Sequence, residues 1–247
     1  MSREAEIIAL VNQEKKIEVN ELAKVLNVSK VTIRKDLDKL EERGILHRQH
    51  GFAVINNEEN INYRLSTNYD LKRKIALEAA KSVADGETVM IESGSTCTLL
   101  AEELAYNRND LTIITNSCFV ASYVRKSETV KIILLGGEYQ KESQVNVGPM
   151  VGEVAQNFYV DKLFIGVDGF DYERGFTCND FARRDTCRML AQSAKEVVIL
   201  TDSSKFGNKG TVSEFQTGEV DVLYTDNGIS KEYEEYFGEN NLRLSII

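Results

Sequence analysis

The sequence contains only two histidines, His47 and His50, and four cysteines, Cys97, Cys118, Cys178 and Cys187, none in a C-x-x-C pair. Two histidines with no partnering cysteine or third histidine nearby do not make a zinc site, so no metal is expected. Scattered cysteines in a chain of 247 residues do not suggest a disulfide scaffold. A core domain of ~150 residues or more buries roughly 70% of its unfolded surface without such staples. No apolar run approaches the ~20 residues of a membrane-spanning helix, and no cationic-then-apolar leader opens the chain. The nucleotide-binding fingerprints G-x-G-x-x-G and G-x-x-x-x-G-K-[ST] are missing too. These absences predict a reduced, cytoplasmic protein with no membrane segment, no metal and no cofactor.

Positive charge is also short, with a net charge of −9, but it is unevenly spread. Residues 1–55 hold 10 Lys+Arg against 9 Asp+Glu, whereas the remainder holds 20 against 30. The first part is neutral overall, with its bases clustered from Lys30 to Arg48. Affinity for nucleic acid depends on the patch that meets phosphate, not on the total.

That cluster lies in Asn27–Arg48, NVSKVTIRKDLDKLEERGILHR, the stretch around which the chain is organised. Ser29 stands at a helix N-cap position. Ile33, Leu37 and Leu40 recur at i, i+4 and i+7 as one apolar stripe, and Gly44 ends the helix. Lys30, Thr32, Lys35 and Lys39 occupy the other face, with Arg34 beside them. Such a helix suits a major groove about 12 Å wide. Residues 3–14 and Val19–Leu26 read as two preceding helices, burying Ile7, Leu10, Val11 and then Leu22, Val25, Leu26. Ile45–Arg48 and Phe52–Ile55 bracket Gln49-His50-Gly51 as a hairpin. Three helices and a hairpin predict a winged helix-turn-helix, against the alternative of a plain three-helix bundle with a solvated charged face.

From Val28 to Gly51 the run V-S-x-x-T-I-R-x-D-L-x-x-L-x-x-x-G-x-L-x-R-x-H-G resembles the N-terminal signature of the DeoR family of bacterial transcriptional regulators. Two positions depart from it. Lys35 stands where the family commonly has a second arginine, and a lysine is a point charge where arginine is a bidentate fork. Phe52 replaces the second glycine of the usual H-G-G, at the expected wing tip. The resemblance implies double-stranded operator DNA as partner. Thr32, Arg34 and Lys35 are the candidates for bases or adjacent phosphates, and Ser29, Lys30, Arg48 and His50 for the backbone.

Asn56–Tyr69 is polar and reads as an irregular hinge, giving a DNA-binding domain over 1–56, a linker over 57–70 and a larger domain over 71–247. Leu71–Ala84 has helical spacing, with Ile75, Ala79 and Ala80 inward. From Glu87 short apolar runs alternate with helical stretches. Strands are expected at 89–91, 111–115, 130–135, 163–167, 197–201, 220–225 and 242–246, and helices at 95–106, 117–125, 150–158, 180–193 and 230–237. This predicts a mostly parallel sheet covered on both faces, a Rossmann-like three-layer α/β/α domain.

Ligands in such sheets sit beyond the carboxyl ends of the strands. Polar residues fall there: Glu92-Ser93-Gly94-Ser95-Thr96, Thr115-Asn116-Ser117, Gly136-Gly137, Asp168-Gly169-Phe170-Asp171 and Asp202-Ser203-Ser204-Lys205. Small and hydroxylic residues opening a helix suit a phosphate, and Asp, Asn and Lys suit the rest of a phosphorylated polyol. Each piece alone has a bland reading, as an N-cap or an Asp-Gly turn. The resemblance continues through G-S-T, I-T-N-S, L-G-G, F-I-G-V-D-G-F-D, G-F-T and S-S-K-F, which are similar in order to the DeoR-family sensor domain. It implies a fold similar to phosphosugar isomerases and a phosphorylated sugar or sugar-alcohol effector. The implied pocket is Ser93, Gly94, Ser95, Thr96, Asn116, Asp168, Asp171 and Lys205.

Arg183, Arg184 and Arg188 could reach an anionic ligand, but a solvated or subunit-facing side is the expectation; Cys178 and Cys187 are expected in the core rather than as a redox pair, and Glu232–Glu239 on a solvated helix face. The expectation is a homodimeric or homotetrameric repressor of a carbohydrate uptake or catabolism operon, with no catalytic residue. An isomerase using Asp168, Asp171 and Lys205 as acid–base groups would leave Val28–Arg48 without purpose. A DNA-bound architectural module would leave the hydroxyl-rich strand ends unexplained.

Overall fold

The computed structural model describes residues 3–55 and 61–247, and the chain divides into two compact units, up to Asp70 and from Leu71 onward. In the first unit α1 (Arg3–Glu14) leads through β1 (Lys16–Glu18) to α2 (Val19–Val25) and α3 (Lys30–Glu42). β2 (His47–Gln49) and β3 (Phe52–Val54) follow, and α4 (Ile61–Ser66) closes the unit. α3 begins and ends as its sequence dictates. The Ser29 hydroxyl accepts the Thr32 amide at 3.1 Å. Gly44, at φ +70°, lets Ile45 N–H return to the Leu40 carbonyl at 2.9 Å, while both side chains are fully buried.

The hairpin gains a third strand, in the order β1-β3-β2. Gln49 pairs with Phe52, leaving His50 and Gly51 as a two-residue loop, both with positive φ (51° and 86°). That is the loop geometry that matches strand twist. Phe52 therefore lies in the strand rather than at the tip, where the Lys16 ammonium sits 4.4 Å from its ring centroid.

Three expectations are corrected here. Val25 is 56% exposed rather than buried; the inward face of α2 is Val19, Leu22 and Ala23. Ile8, not Leu10, completes the buried face of α1. The expected hinge is partly helical, because Ile61 and Leu65, one turn apart and fully buried, anchor α4, and Asn12 donates to the Ser66 carbonyl at 2.7 Å. Residues 56–60 of that hinge lie outside the described residues.

α5 (Tyr69–Ala80) begins two residues before the division, and the second unit continues with β4 (Thr88–Ile91), α6 (Ser95–Asn107), β5 (Leu111–Thr115), α7 (Cys118–Tyr123) and β6 (Val130–Leu134). A hairpin of β7 (Glu138–Gln140) and β8 (Val145–Val147) precedes α8 (Pro149–Ala155) and β9 (Val160–Ile165). Next come β10 (Gly169–Asp171), β11 (Gly175–Cys178), α9 (Phe181–Ala191), β12 (Ala194–Leu200), β13 (Val212–Phe215), β14 (Val222–Thr225), α10 (Lys231–Glu239) and β15 (Arg243–Ile246). Seven strands form one parallel sheet in the order β15-β14-β12-β9-β4-β5-β6. The chain winds outward from β4 to β6, then crosses back to β9 and winds the other way. The sheet is the Rossmann-like arrangement the alternation predicts, and its switch point lies between β4 and β9.

A small antiparallel sheet, β10-β11-β13, stands apart from the main one. Phe170 of β10 packs against Phe176 and Phe237, with ring centroids 4.9 and 4.8 Å away. Among the described residues, no helix is long and apolar enough to cross a membrane.

Candidate functional site

The first unit presents α3 with Ile33, Asp36, Leu37 and Leu40 inward. Lys30, Arg34 and Lys35 are exposed on the other side. The signature aspartate, Asp36, is buried and takes two hydrogen bonds from Arg3, at 2.6 and 3.1 Å, tying α1 to α3. Ser29 and Thr32 share a hydroxyl–hydroxyl contact of 2.8 Å at the helix start. Asp38, one turn from Arg34, is occupied by Arg48 at 2.6 Å.

Arg48 is the centre of the wing's attachment. Its backbone N–H and Nε both donate to Glu41, each at 2.9 Å. The Arg48 backbone amide, with the guanidinium adding to it, holds the Glu41 carboxyl below the usual carboxylate range. Arg34 and Arg48 line one cleft of about 450 Å³ with Glu18, Val19, Asn20, Glu41 and Gly51. The cleft is bounded by the start of α2, the recognition helix and the wing. His50 is exposed at the wing tip. The structure thus brings Arg34 and Arg48 together, caps Thr32 with Ser29, and leaves Lys30 and Lys35 open on the helix.

In the second unit the loops after β4 and β9 meet across the switch point. Gly94 has φ +112°, and a Cβ there would lie 3.6 Å from the Gly166 Cα, so the two backbones pass side by side. Gly94 is also the N-cap of α6 and, lacking a side chain, caps none of its first amides. Ser95 and Thr96 form the first turn. Uncapped amides at the start of a 13-residue helix offer donors and a positive dipole end to an anion.

Near the carboxyl ends of the strands are buried polar side chains that the sequence only half reveals, with Glu92, Asp168, Arg183 and Glu214 electrostatically linked. Glu92, Asn116, Arg183 and Glu214 each keep one buried polar atom without a hydrogen-bond partner: Oε2, Oδ1, Nε and Oε2 respectively. Arg183 Nε approaches Glu92 Oε1 at 4.0 Å. Burial works against the Arg183 cation, but Glu92, Asp168 and Glu214 together hold its pKa above the ordinary value. Glu214 goes the other way: burial, reinforced by Glu92, pushes its carboxyl up to about 7 against the Cys187 thiol and Arg183.

The expected solvated side for Arg183 is therefore wrong. Arg183, Thr186, Cys187 and Leu190 make the inward face of α9, whereas Arg184 and Arg188 donate to the Ser213 and Glu214 carbonyls of β13. The i, i+3, i+4, i+7 spacing of those four residues was the available signal.

The other pocket candidates separate into two groups. Asn116 donates to the Asn146 carbonyl at 2.8 Å, which fixes its side chain. Asp168 accepts the Asn179 amide at 3.0 Å. Lys205 closes a short turn after β12, begun by Asp202. Ser93 is buried with its hydroxyl donated to Glu92 Oε1 at 2.6 Å, so it positions Glu92 instead of offering a free donor. Asp171 is not part of this group. It sits at the far end of β10, accepts the Glu173 and Arg174 amides and pairs with Lys209 at 2.9 Å. Its role there is to hold the β10–β11 turn.

All four cysteines are free; Cys178 and Cys187 are buried as expected, and Cys97 is buried as well. Among the described residues, no group of three or more metal-ligating side chains is present.

Comparison with known proteins agrees with this division. Residues 3–59 match the family model of the DeoR-like helix-turn-helix domain, and residues 67–227 match that of the DeoR C terminal sensor domain. The HTH-type transcriptional regulator GolR of Listeria innocua is 34% identical, over 99% of this chain and 97% of its own. The glycerol-3-phosphate regulon repressor of Escherichia coli is 31% identical, over 89% and 88%. A ribose 5-phosphate isomerase of Methanocaldococcus jannaschii, 23% identical, superposes with a TM-score of 0.42 over 57% of this chain and 55% of its own. A winged helix-turn-helix followed by a Rossmann-like sensor, matched over nearly the whole chain, makes this protein a member of the DeoR family of DNA-binding transcriptional regulators.

Proposed function

We propose that the protein represses a carbohydrate uptake or catabolism operon and is released from its operator by a phosphorylated sugar or sugar alcohol. The observation that carries the effector reading is the buried polar group at the β4–β9 switch point, whose Glu92, Asn116 and Arg183 atoms lack partners. In this reading the uncapped first turn of α6, with Ser95 and Thr96, takes the phosphate. Glu92, Asn116 and Asp168 take hydroxyls, with Lys205 near the anion. Relatives named as repressors of the lactose phosphotransferase system and of the glycerol-3-phosphate regulon support a phosphorylated ligand.

On the DNA side, Thr32, Arg34 and Lys35 meet bases or adjacent phosphates in the major groove, and Ser29, Lys30, Arg48 and His50 meet the backbone at the helix start and wing. The repressor acts in the cytoplasm as a homodimer or homotetramer, so that paired recognition helices read repeated half-sites. Exposed Met150, Val154, Tyr159 and Phe181 on the sensor unit favour self-association. Release requires the effector to bind the two states unequally.

The test is a thermal-shift screen of phosphorylated sugars and polyols beside their unphosphorylated parents, followed by operator titration with each hit. Ligand at ~100 times its Kd adds roughly 2.7 kcal/mol of stability. A stabilising phosphorylated ligand that also weakens operator binding is the expected result. Stabilisation by the parent compounds alone, or operator affinity unmoved by every hit, would overturn the reading.

A further inference from the structure

Val31 lies in the middle of the outward face of α3, between Lys30 and Thr32, and is 62% exposed. With 3.6 residues per turn, Arg34, Lys35 and Asp38 follow it at i+3, i+4 and i+7 as one stripe. Leu40, two and a half turns further on and fully buried, marks the opposite side. The most outward position near the start of the recognition helix is thus aliphatic, on a face otherwise made of charges.

The N-terminal residues of such a helix are the ones that reach base edges. In the major groove only thymine presents a methyl group, and it is recognised by apolar contact. A β-branched side chain in a helix holds essentially one rotamer, so both Val31 methyls point to a fixed place. Resting on the DNA-binding reading of this unit, we propose that Val31 is a specificity-determining residue that packs against the 5-methyl group of a thymine in each half-site.

The experiment starts by selecting binding sequences from a random duplex pool with the full-length protein. Each thymine of the selected half-site is then replaced in turn by deoxyuridine, which removes only the methyl group, and Kd is measured by fluorescence anisotropy. The wild type should lose about fourfold in affinity at one thymine per half-site, the ~0.8 kcal/mol of one buried methyl group. In Val31→Ala, which keeps a good helix former at an exposed position, that sensitivity should vanish and the selected preference there should relax. Lys35→Ala should bind more weakly yet keep the methyl sensitivity. Undiminished sensitivity in Val31→Ala, or no methyl-sensitive thymine in the wild type, overturns the assignment while DNA binding stands. Failure of the wild type to enrich any sequence would remove the DNA-binding reading and this one with it.

Discussion

Arg48 on the wing and Glu41 on the recognition helix are joined twice, through the Arg48 backbone amide and through its guanidinium, while the same guanidinium reaches Asp38. The wing is thereby fastened to α3, and its position depends on side chains of that helix.

Removing this attachment should uncouple wing from helix at little cost to folding. All three groups are at least a third exposed in side-chain terms, so Arg48→Ala should cost at most ~1 kcal/mol of stability. Operator affinity should fall severalfold, and the slope of log K against log salt should shrink by about one phosphate contact. A salt series read by anisotropy checks both. The attachment should also resist mild acid. The Glu41 carboxyl is held below its ordinary value, so its contribution is present above the unfolded pKa and lost only as pH falls through the depressed one.

Arg34→Ala and Lys35→Ala should each weaken operator binding by at least ~1 kcal/mol, the scale of one readout contact, without loss of folding. Among the described residues Arg34 has no ion pair, and its neighbour Asp38 is engaged by Arg48. Circular dichroism melts beside binding curves check this; an unfolded Arg34→Ala would assign the arginine to the scaffold.

Asp36→Ala should behave oppositely. It removes a buried carboxylate that ties α1 to α3. The expected loss is ~1–3 kcal/mol of stability, with operator affinity falling only as far as the folded fraction falls. Denaturant titration followed by binding at a temperature where the variant is folded separates the two effects.

Glu214 predicts a pH dependence of the opposite sign to Glu41. Its pKa in the folded chain is raised to about 7, so the folded state holds more protons than the unfolded one between the ordinary glutamate value and about 7. Its contribution is fully present below the unfolded pKa and is lost as pH rises through about 7. Glu214→Gln, neutral at every pH, should flatten that part of the stability profile. At pH 8 it should raise stability by on the order of 1–3 kcal/mol. Melting temperature from pH 5 to 8 is the readout.

What was legible in the sequence was whatever repeats locally. The strands of the main sheet are short apolar runs, and α3 is bracketed by Ser29 and Gly44, whose chemistry fixes a helix start and stop. The β10-β11-β13 sheet was not legible, because its residues are mixed and it is held by pairings such as Cys178 with Val212, far apart in sequence. Asp171 was placed in the pocket by the family resemblance of F-I-G-V-D-G-F-D, in which it follows Asp168 by three positions. In a strand that spacing is roughly 10 Å, enough to move it to the other end of the hairpin. Arg183 was misread for a related reason. A charge suggests solvent; the helical spacing with Thr186, Cys187 and Leu190 points inward, and the tertiary arrangement supplies the three carboxylates around it.

The shortness of the reading surface limits how much sequence one copy of this protein can recognise. From Val31 to Asp38 the outward stripe is about 10 Å long at 1.5 Å per residue, and the three-residue strands of the wing reach a similar distance. At 3.4 Å per base pair along each strand, the helix face spans about three base pairs, a word that recurs throughout any genome. Discrimination among so many competing sites must then come from the number and spacing of such words rather than from any one of them. Operators for this regulator should be recognisable less by a long motif than by the regular distance between short ones.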